Sequence, residues 1–183
     1  MALFHLGLDD TQAVLRLYDG PIYGERSNMA FDMADAAALL WRLKLRDEDV
    51  GERWAALADI YAGEPRGLSA FDDVHAMMAY VGAGRDAEAA MTLATMTGAT
   101  EGPGDNASVT AEVGLPIGQA IRAFGAGNFA QAIDLLRNVR SQAARFGGSH
   151  AQRDVIDLTL IAAAERSGET RLARALTAER SRA

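Results

Sequence analysis

The sequence predicts an all-α fold, a right-handed α-solenoid of about nine helices paired into hairpins. Three observations carry that expectation. Alanine makes up about a fifth of the chain and β-branched residues are scarce, a composition that favours helix over strand. Apolar residues recur at intervals of three and four, as in Leu40 and Leu43 or Ile121 and Phe124, and strand-like alternation is absent. Helix-ending glycines return at nearly regular distances, the mark of a repeat.

Punctuation places each element. A first helix runs from about Thr11 to Tyr18 and stops at Gly20-Pro21, a pair that breaks helices. Ser27 or Asn28 caps a second, which continues through Trp41 to about Leu45. Asp47, Glu48 and Asp49 put negative charge at the start of a third, where the helix dipole favours it; it carries Trp54, Leu57 and Ile60 and ends at Gly63. Ser69 opens a fourth, with Asp72 three residues on as a near capping box. That helix ends at Gly82-Ala-Gly84, and a fifth covers Asp86 to about Met96. Gly98 to Ser108 reads as a linker. A sixth helix spans about Val109 to Ala126, or starts at Leu115-Pro116, since proline fits a first turn. Gly127-Asn128 turns into a seventh that reaches about Phe146. Gly147-Gly148 stops it, Ser149 caps an eighth, and Gly168-Glu169 turns into a ninth.

Three turns share one form: a helix ends at glycine, the chain turns, and an alanine five residues past the glycine faces the seam of a second helix. The glycines are Gly84, Gly127 and Gly168 and the alanines Ala89, Ala132 and Ala173, spaced by 43 and 41 residues. Arg53 and Ala13 extend a looser series upstream. Small residues there let two helices approach closely, while Leu93 and Leu136 fill the space between them.

This pattern resembles the tetratricopeptide repeat. Ala123, Gly127, Phe129, Ala132 and Leu136 match its motif in order, whereas the copies at Gly84 and Gly168 lack the aromatic, having Asp86 and Thr170. The period is nearer 40 than the standard 34. Over most of its length the chain is also similar to the tetratricopeptide repeat protein 38 family. Ala36 to Leu43, Asp73 to Ala79 and above all Gly147-Gly-Ser-His-Ala-Gln-Arg-Asp154 carry that likeness. The resemblance implies a helical repeat fold and no particular reaction. Members of that family are longer, so the resemblance reads this chain as a C-terminal portion that opens on the second helix of a hairpin.

Charge and composition exclude several classes of function. Eighteen basic against 25 acidic residues leave a net charge of -7, and nucleic acid or an anionic membrane wants a basic footprint instead. Residues 1–119 hold 8 basic and 19 acidic groups (-11), residues 120–183 hold 10 and 6 (+4). Such blocks suggest a basic end facing an acidic partner, or a solvated helix face that happens to use arginine. Cysteine is absent, which excludes disulfides and thiolate sites. No stretch is long and apolar enough to span a bilayer, and no signal segment opens the chain, so the cytoplasm is expected.

Among candidate residues, Gly147 to Asp154 is the densest polar cluster. His150, Arg153 and Asp154 would share the opening turn of a helix, where backbone N–H groups can receive an anion, and His150 and Asp154 stand four residues apart, within hydrogen-bonding reach. The simpler reading makes Ser149 and Gln152 a capping box. Asp72, Asp73 and His75 invite an acid–base proposal, yet adjacent helix positions diverge and acids belong in first turns. Met77, Met78, Met91 and Met96 read as core filling, as do Trp41 and Trp54.

The sequence therefore points to one helical repeat domain over residues 1–183, a non-catalytic interaction module with a groove lined by the first helices of about four hairpins. Arg122, Arg153 and Arg166, with His150 and Asp154, are its candidate partner-binding residues, and the expected partner is a protein or peptide, an acidic segment being the one that suits the arginines. A small-anion sensor or enzyme remnant centred on His150, Arg153 and Asp154 is the alternative. No cofactor, metal, nucleic acid or membrane is expected; self-association is.

Overall fold

The structure, a computed structural model, describes residues 1–181. Eleven α-helices occur among the described residues, and no strand. They are α1 (Ala2–Gly7), α2 (Thr11–Leu17), α3 (Ala30–Lys44), α4 (Arg53–Ala62), α5 (Ala70–Gly82), α6 (Asp86–Ala99), α7 (Asp105–Val109), α8 (Leu115–Gly125), α9 (Phe129–Val139), α10 (His150–Arg166) and α11 (Thr170–Arg180). None is long and apolar enough to cross a membrane.

Side-chain caps fix several starts. Asp10, Ser69, Asn128 and Ser149 each accept a hydrogen bond from the backbone N–H three residues on, satisfying a donor that the helix leaves free. At Ser149 the box is complete, because the Gln152 side chain accepts from the Ser149 N–H in return. Neither Ser27 nor Asn28 caps α3, whose N-cap is Met29 with no side-chain bond; the Ser27 hydroxyl accepts from the Met29 N–H at 3.0 Å ahead of the helix.

The repeated turn recurs more often than its glycines indicate. A carbonyl accepts from the N–H five residues later at His5, Leu43, Tyr80, Ala123 and Ala164, over 3.0, 3.1, 2.8, 2.8 and 2.8 Å. In each case the residue before the donor has positive φ: Asp9, Asp47, Gly84, Gly127 and Gly168. That bond and that backbone state close a helix end with a left-handed residue. The five copies fall 38, 37, 43 and 41 residues apart. Aspartate takes the glycine position in the first two.

Five segments depart from the expected elements. Helix α4 begins only at Arg53, so Asp47, Glu48 and Asp49 lie ahead of it and its first turn holds no acid. Helix α2 runs into a π turn, Tyr18–Ile22, that passes through Gly20-Pro21 with Gly20 kinked. Helix α1, of which Leu6 alone is buried, precedes the first expected helix and packs against α2, so α2 does not lack a preceding helix. The expected Gly98–Ser108 linker is narrower, a non-helical turn over residues 100–104: α6 reaches Ala99 and α7 begins at Asp105, joined to α8 through one widened π turn, Thr110–Gly114. Pro116 explains that turn, since it has no N–H to donate back and its ring crowds the preceding turn. The tail of the seventh expected helix, Arg140–Phe146, winds as tighter 3-10 helix and brings Phe146 within 5.2 Å of Phe71 and 6.2 Å of His75 between ring centres.

Helices α3 and α5 occupy the middle. Every residue from Ala36 to Leu43 and from Asp73 to Tyr80 is buried, so over these stretches the helices are enclosed on all sides and not amphipathic. Against α5 lie α3, α4, α6 and α8; α8 pairs with α9, α9 packs on α10, and α10 pairs with α11. The inner side of this row is filled rather than open. Helix α10 returns to touch α3, and the Trp41 indole N–H donates to the Thr159 hydroxyl at 2.9 Å across 118 residues of sequence. The Trp41 ring also meets Trp54 at 6.4 Å and Phe124 at 5.8 Å. Helices α3 and α10 are therefore in direct contact, with no open groove between them among the described residues.

The seam alanines Ala89, Ala132 and Ala173 are buried, as are Trp41, Trp54, Met77, Met78 and Met96. Of the four methionines expected in the core, Met91 is the exception, 70% exposed.

Candidate functional site

The Gly147–Asp154 segment lies where α10 begins, beside the 3-10 turns and α11. A cleft of about 740 Å³ opens there between Arg140, His150, Arg153, Asp154 and Arg180. Positive φ at Gly147 and Gly148 turns the chain sharply into the Ser149 cap, a conformation that side chains other than glycine's resist. The Gln152 amide reaches Asp35 on α3 at 2.8 Å.

The charged groups of this cleft are engaged with one another. Arg180 donates to both carboxylate oxygens of Asp154 at 2.8 Å each, a bidentate pair that holds the Arg180 guanidinium above its ordinary pKa. Arg140 bridges Asp157 at 2.9 Å and Glu179 at 3.0 Å. Arg153 donates to the carbonyls of Gly147 and Gly148, closing the end of the preceding turns. Arg42 of α3, only 5% exposed, comes within 3.8 Å of Asp154 from behind and donates to the carbonyls of Ala38 and Ala151. Burial pulls the Arg42 pKa down, and Asp154 opposes that pull.

Two expectations are corrected here. The structure contains no His150–Asp154 hydrogen bond: His150 is exposed and both Asp154 oxygens are taken by Arg180. Nor do Arg122, Arg153 and Arg166 form one patch. Arg153 and Arg166 stand at opposite ends of α10, about 20 Å apart along its axis. Arg166 is committed to the fold, donating to Asp47 at 2.7 Å and to the Leu45 carbonyl at 3.2 Å, with its guanidinium 4.8 Å above the Phe124 ring. Arg122 is exposed near the end of α8 and forms no ion pair among the described residues. An anion entering the cleft would meet Arg140 and Arg180 already bonded to carboxylates, and Arg153 bonded to backbone carbonyls.

Asp72, Asp73 and His75 diverge as their helix positions require. The His75 Nδ1 faces the Phe71 carbonyl at 2.8 Å, while the Asp73 carboxylate accepts from the Gly67 N–H at 3.0 Å. No group of three or more potential ligands is arranged to hold a metal ion among the described residues.

A second pocket, which sequence reasoning missed, lies where the start of α3 meets the loop between α4 and α5. It holds about 120 Å³ and is bounded by Tyr61, Glu64, Arg66, Leu68, Asp72 and Asp73, among others. The Asn28 amide donates to Glu64 at 3.4 Å and ties the two walls together. Asp73 is almost wholly buried; burial pushes its carboxyl up, and the Gly67 N–H and Arg66 guanidinium pull it back. Arg66 lies 5.3 Å over the Tyr61 ring and donates to the Glu64 and Asp72 carbonyls. The Tyr61 hydroxyl is buried with no hydrogen-bond partner. Burial raises its pKa well above the ordinary value, and the charges of Arg66 and Asp72 both act on it. The only sequence signal here is the Glu64-Pro-Arg-Gly67 loop ahead of the Ser69 cap, and a loop alone names no site.

No protein-family model matches the chain, and no solved structure matches it.

Proposed function

We propose that the chain is a non-catalytic, cytoplasmic protein-binding module, a right-handed succession of tetratricopeptide-like hairpins related to the tetratricopeptide repeat protein 38 family. The five equivalent turns and the packing of each hairpin on the next support the repeat reading. The segments that carry the family resemblance fall in the enclosed helices α3 and α5 and at the start of α10.

Exposed apolar side chains beside the second pocket carry the binding reading. Leu68, on the pocket wall, and Phe31, next to the wall residue Ala30, are each 72% exposed, and Met29 is 65% exposed. Large side chains held in water at the start of α3 and on the loop before α5 are what a protein contact would cover. The arginines of the basic third offer less, because Arg153 and Arg166 already have internal partners. No observation favours the anion-sensor or enzyme-remnant reading over this one.

Capture from a lysate of the source organism, followed by mass spectrometry, tests the proposal. The Phe31→Asp, Leu68→Asp double variant should lose proteins that wild type and Arg122→Glu retain. Identical capture by wild type and the double variant, or capture of nothing by wild type, would overturn it.

A further inference from the structure

We infer that the pocket between the turn after α2 and the start of α4 binds a small zwitterion of the α-amino-acid class, its carboxylate on Tyr18 and Arg26 and its ammonium on Glu52. This cavity holds about 390 Å³ and shares no wall residue with the pocket beside Leu68, so the inference stands apart from the binding-module reading. Its volume exceeds the roughly 300 Å³ at which sites for small organic ligands begin.

The walls are held by the fold. The Tyr23 and Gly24 N–H groups donate back to the Tyr18 and Gly20 carbonyls, each at 2.9 Å, and the Tyr23 hydroxyl donates to the Ser27 carbonyl at 2.8 Å. From the first turn of α4, Arg53 donates to both Asp19 oxygens and to the Val50 carbonyl. That ion pair ties the two walls together and leaves each of its charges answered.

The Tyr18 hydroxyl is the group that asks for a ligand. Tyr18 is only 4% exposed and lines the cavity, yet its hydroxyl has no hydrogen-bond partner among the described residues. Unlike the Tyr61 hydroxyl, it is not sealed off from solvent. Polar groups held that deep are almost always paired, and here the fold leaves the partner to whatever enters the cavity. Burial, with Tyr23 beside it, raises the Tyr18 pKa against the opposing charges of Arg53 and Arg26. The phenol therefore keeps its proton and donates it to an acceptor.

Charge sets the ligand class. The walls carry Arg26 and Arg53 against Asp19 and Glu52, a balance of zero. With Arg53 and Asp19 joined, Arg26 and Glu52 remain, opposite charges on one cavity that form no ion pair among the described residues. A simple anion would meet the Glu52 carboxylate, and a simple cation the Arg26 guanidinium. A molecule bearing both charges answers each: guanidinium and phenol O–H donate to its carboxylate, and Glu52 accepts from its ammonium.

Isothermal titration of the whole chain with the standard free L-amino acids provides the test. At least one should bind, and its N-acetyl and carboxamide derivatives, each lacking one of the charges, should bind about tenfold more weakly or worse. Arg26→Gln and Glu52→Gln, both at exposed positions, should weaken binding of that amino acid by a similar factor. Tyr18→Phe should weaken it severalfold, with unchanged far-ultraviolet circular dichroism in all three variants. Binding of no free amino acid, equal binding of either derivative, or an affinity that survives Arg26→Gln and Glu52→Gln would overturn the inference.

Discussion

His75 has no exposed surface, one ring nitrogen against the Phe71 carbonyl and the other without a partner. Burial, joined by the positive charge of Arg42 and opposed by the Phe71 carbonyl, lowers its pKa to about 4. The unfolded chain, with an ordinary histidine near 6.5, therefore binds a proton that the folded one refuses between those values. Stability is intact above pH 6.5 and falls as the solution is acidified toward pH 4, by about 3 kcal/mol from this group. Urea midpoints measured at pH 7, 5.5 and 4.5 should drop in wild type and drop less in His75→Leu. Parallel pH profiles for the two proteins would rule the linkage out. That His75 is structural was legible from its helix position, because Asp73 two residues earlier had to point elsewhere. The convergence of Tyr61, Glu64 and Asp72 was not, since it depends on the start of α3 meeting a loop 36 residues away, where Asn28 bonds Glu64.

At the level of the element, the five turns show what a glycine search can and cannot find. Gly84, Gly127 and Gly168 announce the left-handed backbone, because glycine is the residue that adopts it without strain. Asp9 and Asp47 adopt it too, yet aspartate is equally common in caps and on solvated faces, so their sequence neighbourhood does not mark them out. Each is also held by an arginine, Asp9 by Arg46 at 2.6 Å and Asp47 by Arg166 at 2.7 Å. Replacing Asp47 by glycine or by alanine removes the same ion pair, but alanine keeps a Cβ in the left-handed state. Asp47→Ala should unfold at lower urea than Asp47→Gly, with a difference of about 1 kcal/mol. Equal midpoints would mean that the turn relaxes out of the left-handed region in solution. Helix α1 was missed for a related reason: a six-residue helix with one buried side chain, Leu6, has no periodicity to read.

Across the whole molecule, ion pairs join the two charge blocks of the sequence. Arg166 reaches Asp47, Arg145 reaches Glu112, and in the opposite sense Arg42 of the acidic part reaches Asp154 of the basic part. Sequence alone shows the asymmetry but not its direction, inward or outward, because that depends on α10 folding back on α3. This closure, through Trp41–Thr159 and Arg42–Asp154, fills the inner side of the helix row, and its energetics should be lopsided. Arg42 is buried and Asp154 is its nearest counter-charge, so Asp154→Ala strands a guanidinium away from water. The expected cost is about 3 kcal/mol, toward the low end for a broken buried pair, because Asp154 is 27% exposed and water can partly replace it. Arg180 contacts the same carboxylate from the solvent side, 47% exposed. Its removal leaves Asp154 hydrated and paired with Arg42, and Arg180→Ala should cost less than about 1 kcal/mol. Denaturant midpoints of the two single variants separate the cases. Similar losses would show that the closure rests on the surface pair, whereas a much larger loss for Asp154→Ala means that α10 is anchored to α3 from inside.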